Sequence, residues 1–213
     1  MKIRVLLADD HALVREGLRG ILTKAADIEV SAEASNGDEA LVCAKKQEFD
    51  IAVLDLSMPG LAGIALIKRL KIEKPKLRIL VLSMHGEAQY AARALKAGAS
   101  GYLTKDSAAP QLIGAIRKIA AGGVHISEAA AAQLIGAGAA ADGAPHSALS
   151  DREYEVLRHI VAGRSVTDIA DALSLSVKTV STHKARILQK LRLSGTAELV
   201  RYALEHGLMD ERA

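Results

Sequence analysis

Apolar and polar positions follow two alternating patterns between Ile3 and Ala121. Short runs rich in β-branched residues predict five strands, at residues 3–8, 28–34, 51–54, 78–83 and 101–103. The amphipathic stretches between and after them predict helices, which begin near His11, Gly37, Ala62, Glu87 and Pro110. Proline suits the first position of a helix, where its missing N–H is not needed. This alternation predicts a parallel sheet with right-handed crossovers and helices on both faces.

From Leu149 onward the strand pattern ends, and four short helical patterns follow. Ser150 and Glu153 have the spacing of a capping box at the start of the first helix, and Ser165 and Asp168 repeat it at the second. The C-terminal region is therefore predicted to be a separate all-α unit.

The connection between the second and third of these helices is short. They are predicted at residues 166–173 and 177–191, so only Ser174, Leu175 and Ser176 separate them. A three-residue turn between two short helices is typical of a helix-turn-helix. A fourth helix is predicted at residues 196–206, before Gly207.

The segment between the two regions is rich in alanine and glycine and has few large apolar residues. We interpret residues 122–147 as a linker between a first domain at 1–121 and a second at 148–213. Residues 128–135 contain good helix formers and are predicted to be helical within this linker.

Composition narrows the functional classes. Half of the 213 residues are apolar, but no apolar run is long enough to cross a bilayer, and Met1 leads into the first strand without a signal-peptide pattern. We therefore expect a cytoplasmic protein without a membrane partner. Cys43 is the only cysteine, which excludes an internal disulfide and a cysteine-based metal cage. The net charge of +3 indicates nucleic-acid binding only weakly.

Charged residues follow several predicted strands at the point where each ends. Asp9 and Asp10 follow the first strand, Asp55 the third and Lys105 the fifth. The carboxyl ends of parallel strands meet at one edge of a doubly wound sheet, so these groups should lie together. Clustered carboxylates remain ionised only beside a positive charge, and Mg²⁺ prefers such hard oxygen ligands. A carboxylate such as Asp55 can also accept a phosphoryl group.

Other interpretations of the acidic residues stay open at this level. Asp9 and Asp10 could simply cap the helix that begins near His11. Asp55 could serve a Mg²⁺-dependent phosphohydrolase that discharges its aspartyl-phosphate onto water. Such an enzyme needs a dedicated general acid or base, and the Asp-x-Asp spacing that would supply one is absent at Asp55.

Taken together, four segments resemble the receiver domain of two-component response regulators: Ala8-Asp9-Asp10-His11, Asp55-Leu56-Ser57-Met58-Pro59-Gly60, Ser83 and Tyr102-Leu103-Thr104-Lys105. The resemblance covers the first domain and implies a flavodoxin-like fold with a five-stranded sheet. It implies that Asp55 is the phosphoacceptor and that Mg²⁺ is held by Asp9, Asp10, Asp55 and the backbone carbonyl of Ser57. Lys105 is then expected to pair with the phosphoryl group, and Ser83 and Tyr102 to be the hydroxyl and aromatic residues of the switch.

The C-terminal region resembles the LuxR-type or FixJ-type (NarL-like) DNA-binding domain. The resemblance rests on Leu149-Ser150-Asp151-Arg152-Glu153, Ile169-Ala170, Ser176-Val177-Lys178-Thr179-Val180, His183 and Lys190-Leu191. No acidic residue lies between Ala172 and Ala197, which suits a helix that approaches phosphates. The resemblance also implies backbone contacts from Thr179 and His183.

Helical phase at 100° per residue divides the third C-terminal helix into two sides. The apolar side is predicted to contain Val177, Val180, Ile187, Leu188 and Leu191. The residues predicted to face DNA or to flank that face are Lys178, Thr179, Ser181, Thr182, Ala185, Arg186, Gln189 and Lys190. The three cations among them suit phosphates, whereas Ser181, Thr182 and Ala185 suit base edges. Lys184 falls on the apolar side, so either its stem extends to a phosphate or this helix is rotated from the usual pose of the family.

We therefore expect a transcriptional regulator that a sensor histidine kinase or phosphotransfer protein phosphorylates, and not an enzyme with an external substrate. Its expected partners are promoter DNA, a second copy of the chain and RNA polymerase. A stripe formed by Ala197, Val200, Ala203 and Leu204 suits pairing of the last helix, although it could equally be core. An adaptor that no longer binds DNA is a further alternative, which the basic third helix disfavours.

Overall fold

The computed structural model describes residues 2–58, 61, 63–83, 88–126, 131 and 145–208. The chain forms two compact units, Met1–Ala130 and Ala131–Ala213, and each is described by itself. The predicted domain boundaries at residues 121–122 and 147–148 stay predictions, and the helix predicted at 128–135 lies outside the described residues except for residue 131.

The first unit contains one sheet of five parallel strands. The strands are β1 (Ile3–Ala8), β2 (Ile28–Ala34), β3 (Ile51–Asp55), β4 (Arg78–Ser83) and β5 (Gly101–Thr104). Their spatial order is β2-β1-β3-β4-β5, which is the flavodoxin-like doubly wound order. All five strands are confirmed, and β3 and β5 each extend one residue beyond the prediction, to Asp55 and Thr104.

Strands β1, β3 and β4 are apolar over most of their length because helices cover both faces of the sheet there, whereas the edge strand β2 carries Glu29, Ser31 and Glu33. Leu7, Val53 and Leu82 on one face pack in a core cluster with residues of the first and fifth helices, including Leu18 and Ile116. Residues of the opposite face, such as Leu6, Leu54 and Val81, are equally buried. This double burial explains why β1, β3 and β4 contain continuous apolar runs rather than alternating patterns.

In the described part of the first unit, the strands are connected or followed by the helices α1 (Ala12–Leu22), α2 (Gly37–Lys46), α3 (Gly63–Glu73), α4 (Ala88–Lys96) and α5 (Lys105–Ala120). The starts predicted for α1 and α2 are confirmed, and Asn36 caps α2 by accepting a hydrogen bond from the Glu39 N–H. Ala62 and Glu87, the predicted starts of α3 and α4, lie outside the described residues, and both helices have begun by the next residue.

The predicted start of α5 at Pro110 is wrong. The helix begins five residues earlier, at Lys105, and Pro110 lies inside it. Thr104 is in the extended conformation of an N-cap. Asp106 places a negative charge in the first turn, where it interacts favourably with the helix dipole. Those two residues outweigh the preference of proline for the first position.

Among residues 145–208, the described stretch of the second unit, the first element is a 3₁₀ helix at Pro145–Ala148. Four helices follow: α6 (Asp151–Val161), α7 (Val166–Ala172), α8 (Val177–Leu191) and α9 (Thr196–Glu205). Both predicted capping boxes are present, at Ser150 and at Ser165. Helices α7 and α9 each end one residue before the predicted limit, and α8 matches it. The predicted four-helix order with a helix-turn-helix at α7 and α8 is confirmed.

The turn between α7 and α8 is built from local bonds. Ser174 has a left-handed φ of 51°, and the N–H of Leu175 donates to the carbonyl of Ala170. Ser176 then caps α8 by accepting a hydrogen bond from the Thr179 N–H.

Within the described part of the chain, no helix combines the length and apolarity that a membrane span requires.

Candidate functional site

The carboxyl ends of β1, β3 and β5 bring the predicted charged residues together. Asp9 directly follows β1, Asp55 is the last residue of β3, and Lys105 is the first residue after β5. Strand order reverses beside β1 and β3, which is where doubly wound sheets open a crevice for a ligand. Asp9 and Asp55 are both buried at this edge of the sheet.

Lys105 connects the two buried carboxylates. Its Nζ lies 2.7 Å from Oδ2 of Asp55 and 2.7 Å from Oδ2 of Asp9, and its side chain is only 7 % exposed. Burial raises the pKa of Asp55 above its ordinary value, and the hydrogen bond and charge of Lys105 offset this only in part. Burial alone would lower the pKa of Lys105, but the two carboxylates outweigh it and leave that pKa raised.

Asp10 and His11 complete a group of possible metal ligands. One ligand atom from each of Asp9, Asp10, His11 and Asp55 lies within 4.8 Å of the others. Oδ1 of Asp10 is buried and accepts no hydrogen bond among the described residues, although Nδ1 of His11 is 3.0 Å away. A buried carboxylate oxygen without a donor is suited to a cation. The acidic set therefore fits a hard divalent ion, with oxygen atoms as its preferred ligands.

Arg15 supports this pocket and was not found from the sequence. Its Nη1 donates to the backbone carbonyl of Asp9 at 2.7 Å, and its Nε donates to Oε2 of Glu33 at 3.1 Å. The side chain thus anchors the Asp9 backbone to the neighbouring strand β2. Arg15 lies one helical turn after His11 on α1, and this spacing was the available signal.

The remaining predicted receiver residues also lie near this edge of the sheet. The N–H of Ser57 donates to Oδ1 of Asp55 at 3.0 Å. Ser83 is fully buried at the end of β4 and pairs in register with Thr104 of β5. Tyr102 is two residues before Thr104, and it is also buried, at 6 % exposed. The sheet thus places the predicted hydroxyl and aromatic switch residues on the adjacent strands β4 and β5, with Ser83 in register with the residue before Lys105.

In the second unit, α8 has one buried side and one broad exposed side. Val180, Ile187 and Leu191 are buried, as the helical phase predicts, and Leu188 is half-buried. The exposed residues of α8 are Val177, Lys178, Ser181, Thr182, Ala185, Arg186, Gln189 and Lys190. Thr179, His183 and Lys184 are half-buried at the borders of this face. The exposed side is therefore polar and basic, without an acidic residue.

Val177 was predicted to pack inward, and this is wrong. The side chain is 49 % exposed because it occupies the first turn of α8, beyond the reach of the core that covers Val180. Its carbonyl accepts a hydrogen bond from Oγ of Ser181, and the carbonyl of Lys178 likewise accepts one from Oγ1 of Thr182. With their protons directed into the helix, both hydroxyl groups face outward as acceptors.

Lys190 has partners within its own domain. Its Nζ donates to Oε2 of Glu153 at 2.6 Å and to the carbonyl of Ala148 at 3.1 Å. Glu153 was recognised as a capping residue, but its ion pair with Lys190 spans 37 positions and has no local signal in the sequence. A phosphate contact from Lys190 would therefore have to share or replace this pair.

His183 lies at the border of the exposed side with its Nδ1 buried and without a hydrogen-bond partner among the described residues. Burial lowers the pKa of His183, and the nearby charges of Arg152 and Arg186 add to the effect, while Glu153 opposes it. A backbone contact to DNA from this ring would therefore be made by a neutral imidazole at neutral pH.

Comparisons with known proteins agree with both halves of the structure. A family model described as the response regulator receiver domain matches residues 5–117. A second model, described as bacterial regulatory proteins of the luxR family, matches residues 147–203. Together they include every predicted site residue.

Relatives extend over nearly the whole chain. The transcriptional regulatory protein MctR of Rhizobium johnstonii is 36 % identical, covering 99 % of this chain and 97 % of MctR. The response regulator UvrY of Escherichia coli is 35 % identical, covering 97 % of this chain and 95 % of UvrY. A structure of RcsB from Salmonella enterica, bound to promoter rprA in the presence of the phosphomimetic BeF3⁻, has a TM-score of 0.69 at 30 % identity, covering 95 % and 98 % of the two chains.

Proposed function

The chain belongs to the DNA-binding two-component response regulators that join a receiver domain to a LuxR-family domain, and we propose that phosphorylation of Asp55 controls how it binds promoter DNA. The observation that carries this proposal is the contact of one lysine, Lys105, with the carboxylates of both Asp55 and Asp9 at 2.7 Å. The donor is a sensor histidine kinase or a phosphotransfer protein, which supplies a phosphohistidine.

In the proposed reaction an oxygen of Asp55 attacks the phosphorus atom, and the bond between phosphorus and the donor imidazole breaks. The Ser57 N–H fixes the orientation of the Asp55 carboxylate by donating to Oδ1, which leaves Oδ2 beside Lys105. Lys105 provides a positive charge within contact distance of the incoming phosphoryl oxygens. Positioning and charge neutralisation are the main requirements of phosphoryl transfer.

The acidic set fits Mg²⁺, because Asp10 presents a buried oxygen without a donor and Asp9 and Asp55 add carboxylates beside it. We propose that Asp9, Asp10, Asp55 and the carbonyl of Ser57 hold the ion. When bound, Mg²⁺ neutralises the charge that gathers on the transferring phosphoryl group.

The switch is proposed to run from Asp55 through Ser83 to Tyr102. A phosphoryl group on Asp55 offers new oxygen acceptors, and the Ser83 hydroxyl, which lies on the neighbouring strand, turns towards one of them. The position of Tyr102 on β5 responds to that movement. Phosphorylation then shifts an equilibrium between two arrangements that the receiver already populates.

The exposed side of α8 is the proposed DNA-binding surface. Lys178 and Arg186 contact phosphates, and Lys184 and Gln189 extend the same surface. Ser181 and Thr182 can accept hydrogen bonds from base amino groups, and Ala185 can contact a thymine methyl group. Thr179 and His183 are assigned to the DNA backbone. Lys190 is assigned to a DNA contact in which its ammonium also keeps or replaces its bond to Glu153. The RcsB neighbour, which is bound to promoter DNA, supports this assignment.

The active form is proposed to be a homodimer. On α9, Ala197 and Leu204 are exposed and Val200 is half-buried, and their spacing places them on one face of the helix. Ala203 belongs to the core instead, because it is fully buried. A two-fold dimer through this face predicts inverted half-sites in the DNA.

This function places the protein in the bacterial cytoplasm, where the promoter and RNA polymerase, a further candidate partner, are found. Self-dephosphorylation of Asp55 would return the protein to its resting state. This slow loss of the protein's own phosphoryl group differs from the repeated hydrolysis of an external phosphate ester by an enzyme.

The proposal is tested by labelling with a small phosphodonor in the presence of Mg²⁺. The wild-type chain should incorporate one phosphoryl group that base or hydroxylamine removes, as expected of an acyl phosphate, and Asp55→Asn should incorporate none. Asp50→Asn, which changes a carboxylate at the opposite end of β3, is the control and should label normally. Labelling of Asp55→Asn would exclude Asp55 as phosphoacceptor, and many turnovers of released phosphate per chain would favour the phosphohydrolase.

A further inference from the structure

The chain that leaves α5 returns to the free edge of β5. The N–H of Tyr102 donates to the carbonyl of His125 at 2.8 Å, and the N–H of His125 donates to the carbonyl of Ser100 at 3.2 Å. Gly101 and His125 thus form a parallel bridge outside the five named strands. Hydrogen bonds of this kind satisfy backbone groups that an edge strand would otherwise expose.

Glycine at position 101 makes this approach possible. A Cβ atom there would lie 2.9 Å from the His125 carbonyl oxygen and 2.7 Å from Cδ1 of Ile119. Both distances are shorter than real Cβ contacts allow. The returning segment reaches this position through a turn at Gly122, which has a left-handed φ of 91°. Two glycines therefore permit the backbone of His125 to lie against β5.

The bridge contacts the strand that contains the switch. Tyr102 gives its N–H to His125, its side chain is buried, and it lies two residues before Thr104, the register partner of Ser83. Any shift of the β5 backbone around Tyr102 must change the bond to His125 or move His125 with it. His125 is also the point from which the chain continues towards the second unit.

We propose that the backbone bridge that His125 forms with both Ser100 and Tyr102 transmits the state of the receiver to the segment that leads to the DNA-binding domain. This inference rests on the proposed function, because it takes Tyr102 as the residue that responds to Asp55. The coupling is mechanical: the bridge holds residue 125 in register with β5, and a rearrangement of Tyr102 changes that register. The imidazole of His125 has no part in it.

Substitutions can separate the backbone bridge from the side chains. His125→Pro removes the N–H that bonds to Ser100, whereas His125→Ala changes the side chain and keeps both backbone groups. Gly101→Ala displaces the His125 carbonyl, and Gly114→Ala, in a part of α5 where a Cβ would meet nothing within 4 Å, is its control. His125→Pro is the primary variant, because Gly101→Ala also meets the core side chain of Ile119.

The first measurement is the ratio of the dissociation constants for promoter DNA without and with BeF3⁻ and Mg²⁺. Allosteric coupling commonly changes an affinity about 5- to 150-fold. We expect the ratio of the wild-type chain to fall towards one in His125→Pro and Gly101→Ala. It should stay within about twofold of wild type in His125→Ala and Gly114→Ala. Full retention of the ratio in His125→Pro would overturn the inference.

The second measurement is hydrogen exchange of the Tyr102 and His125 amides by NMR in the full chain. BeF3⁻ should change both exchange rates several-fold in the wild type and leave them unchanged in Asp55→Asn. Unchanged rates in a wild-type chain whose DNA affinity does respond would overturn the bridge as the route but leave the proposed function intact. A wild-type chain whose DNA affinity does not respond to BeF3⁻ would overturn the proposed function itself, and the coupling with it.

Discussion

Lys190 donates a 2.6 Å hydrogen bond from its Nζ to Oε2 of Glu153, a carboxylate whose side chain is 4 % exposed. The same oxygen of Glu153 accepts a hydrogen bond from the Ser150 N–H at 2.8 Å. One carboxylate thus joins the first turn of α6 to the last turn of α8. Because α8 carries the proposed DNA-binding surface, this pair fixes the helix that must fit the DNA.

Replacement of Lys190 by alanine should destabilise the second unit. It leaves the buried Glu153 carboxylate with the Ser150 N–H but without its cation, and the loss of a hydrogen bond to a charged group costs about 1.5–3 kcal/mol. Urea unfolding followed by circular dichroism measures the change. Lys178→Ala, which removes an exposed lysine from the same helix, should change the free energy of unfolding by no more than about 0.5 kcal/mol. Equal effects of the two substitutions would exclude a structural role for the pair.

The contribution of Glu153 to stability should also depend on pH. Burial alone would raise its pKa, but the bonds from Lys190 and Ser150 outweigh burial and leave the pKa below the ordinary 4.5. A carboxylate with a lowered folded-state pKa stabilises the protein above its unfolded pKa, and this stabilisation is lost as the pH falls through the folded value. The stability difference between wild type and Lys190→Ala should therefore be full near pH 7 and shrink below 4.5. A difference that is constant with pH would contradict this.

Lys105 should compete with a divalent cation for the acidic pocket. Its ammonium lies 2.7 Å from both Asp55 and Asp9, which are proposed ligands of Mg²⁺. At an effective dielectric constant of about 20, the repulsion between a lysine ammonium and a cation this close is on the order of several kcal/mol. Movement of the surrounding groups reduces this energy. We therefore expect Lys105→Met to bind Mg²⁺ about tenfold or more tightly, as measured by titration calorimetry.

The same Lys105→Met chain should accept a phosphoryl group more slowly, since the lysine charge is then missing from the transfer. Lys96→Met, which removes an exposed lysine from α4, is the control and should change neither property. Weaker Mg²⁺ binding in Lys105→Met would show that the ammonium organises the carboxylates instead of competing with the ion.

The sequence predicted the architecture because local and global signals agree in this chain. The apolar runs of the strands and the capping residues Ser150 and Ser165 each encode their element locally, and all of these were confirmed. The pocket could be foreseen because a parallel sheet must bring its carboxyl ends to one edge. Asp9, Asp55 and Lys105 lie there because each one follows or ends a strand.

The features that the sequence did not reveal depend on contacts between distant residues or on how far the packed core extends along a helix. The pair of Lys190 and Glu153, and the bond from Arg15 to the Asp9 carbonyl, arise only after the helices have packed. Helical phase placed Val177 inward because the phase gives a direction and does not show where the packed core ends. The predicted start of α5 was wrong because proline favours the first position of a helix, whereas Thr104 and Asp106 favour a start at Lys105.

Substitutions on α8 should reveal the DNA-binding surface through the dependence of affinity on salt. The logarithm of the binding constant falls linearly with the logarithm of the salt concentration, and each phosphate contact makes the slope steeper by about 0.9. Lys178→Ala and Arg186→Ala each remove an exposed cation from the proposed surface, so each should reduce that steepness by about one and weaken binding to all sequences alike. Fluorescence anisotropy of labelled promoter DNA at several salt concentrations measures both quantities. Lys46→Ala removes the same charge from α2 of the first unit and should leave the salt dependence unchanged. If the two α8 substitutions behave like Lys46→Ala, this helix does not face the DNA backbone, and an adaptor function becomes the better explanation of the second domain.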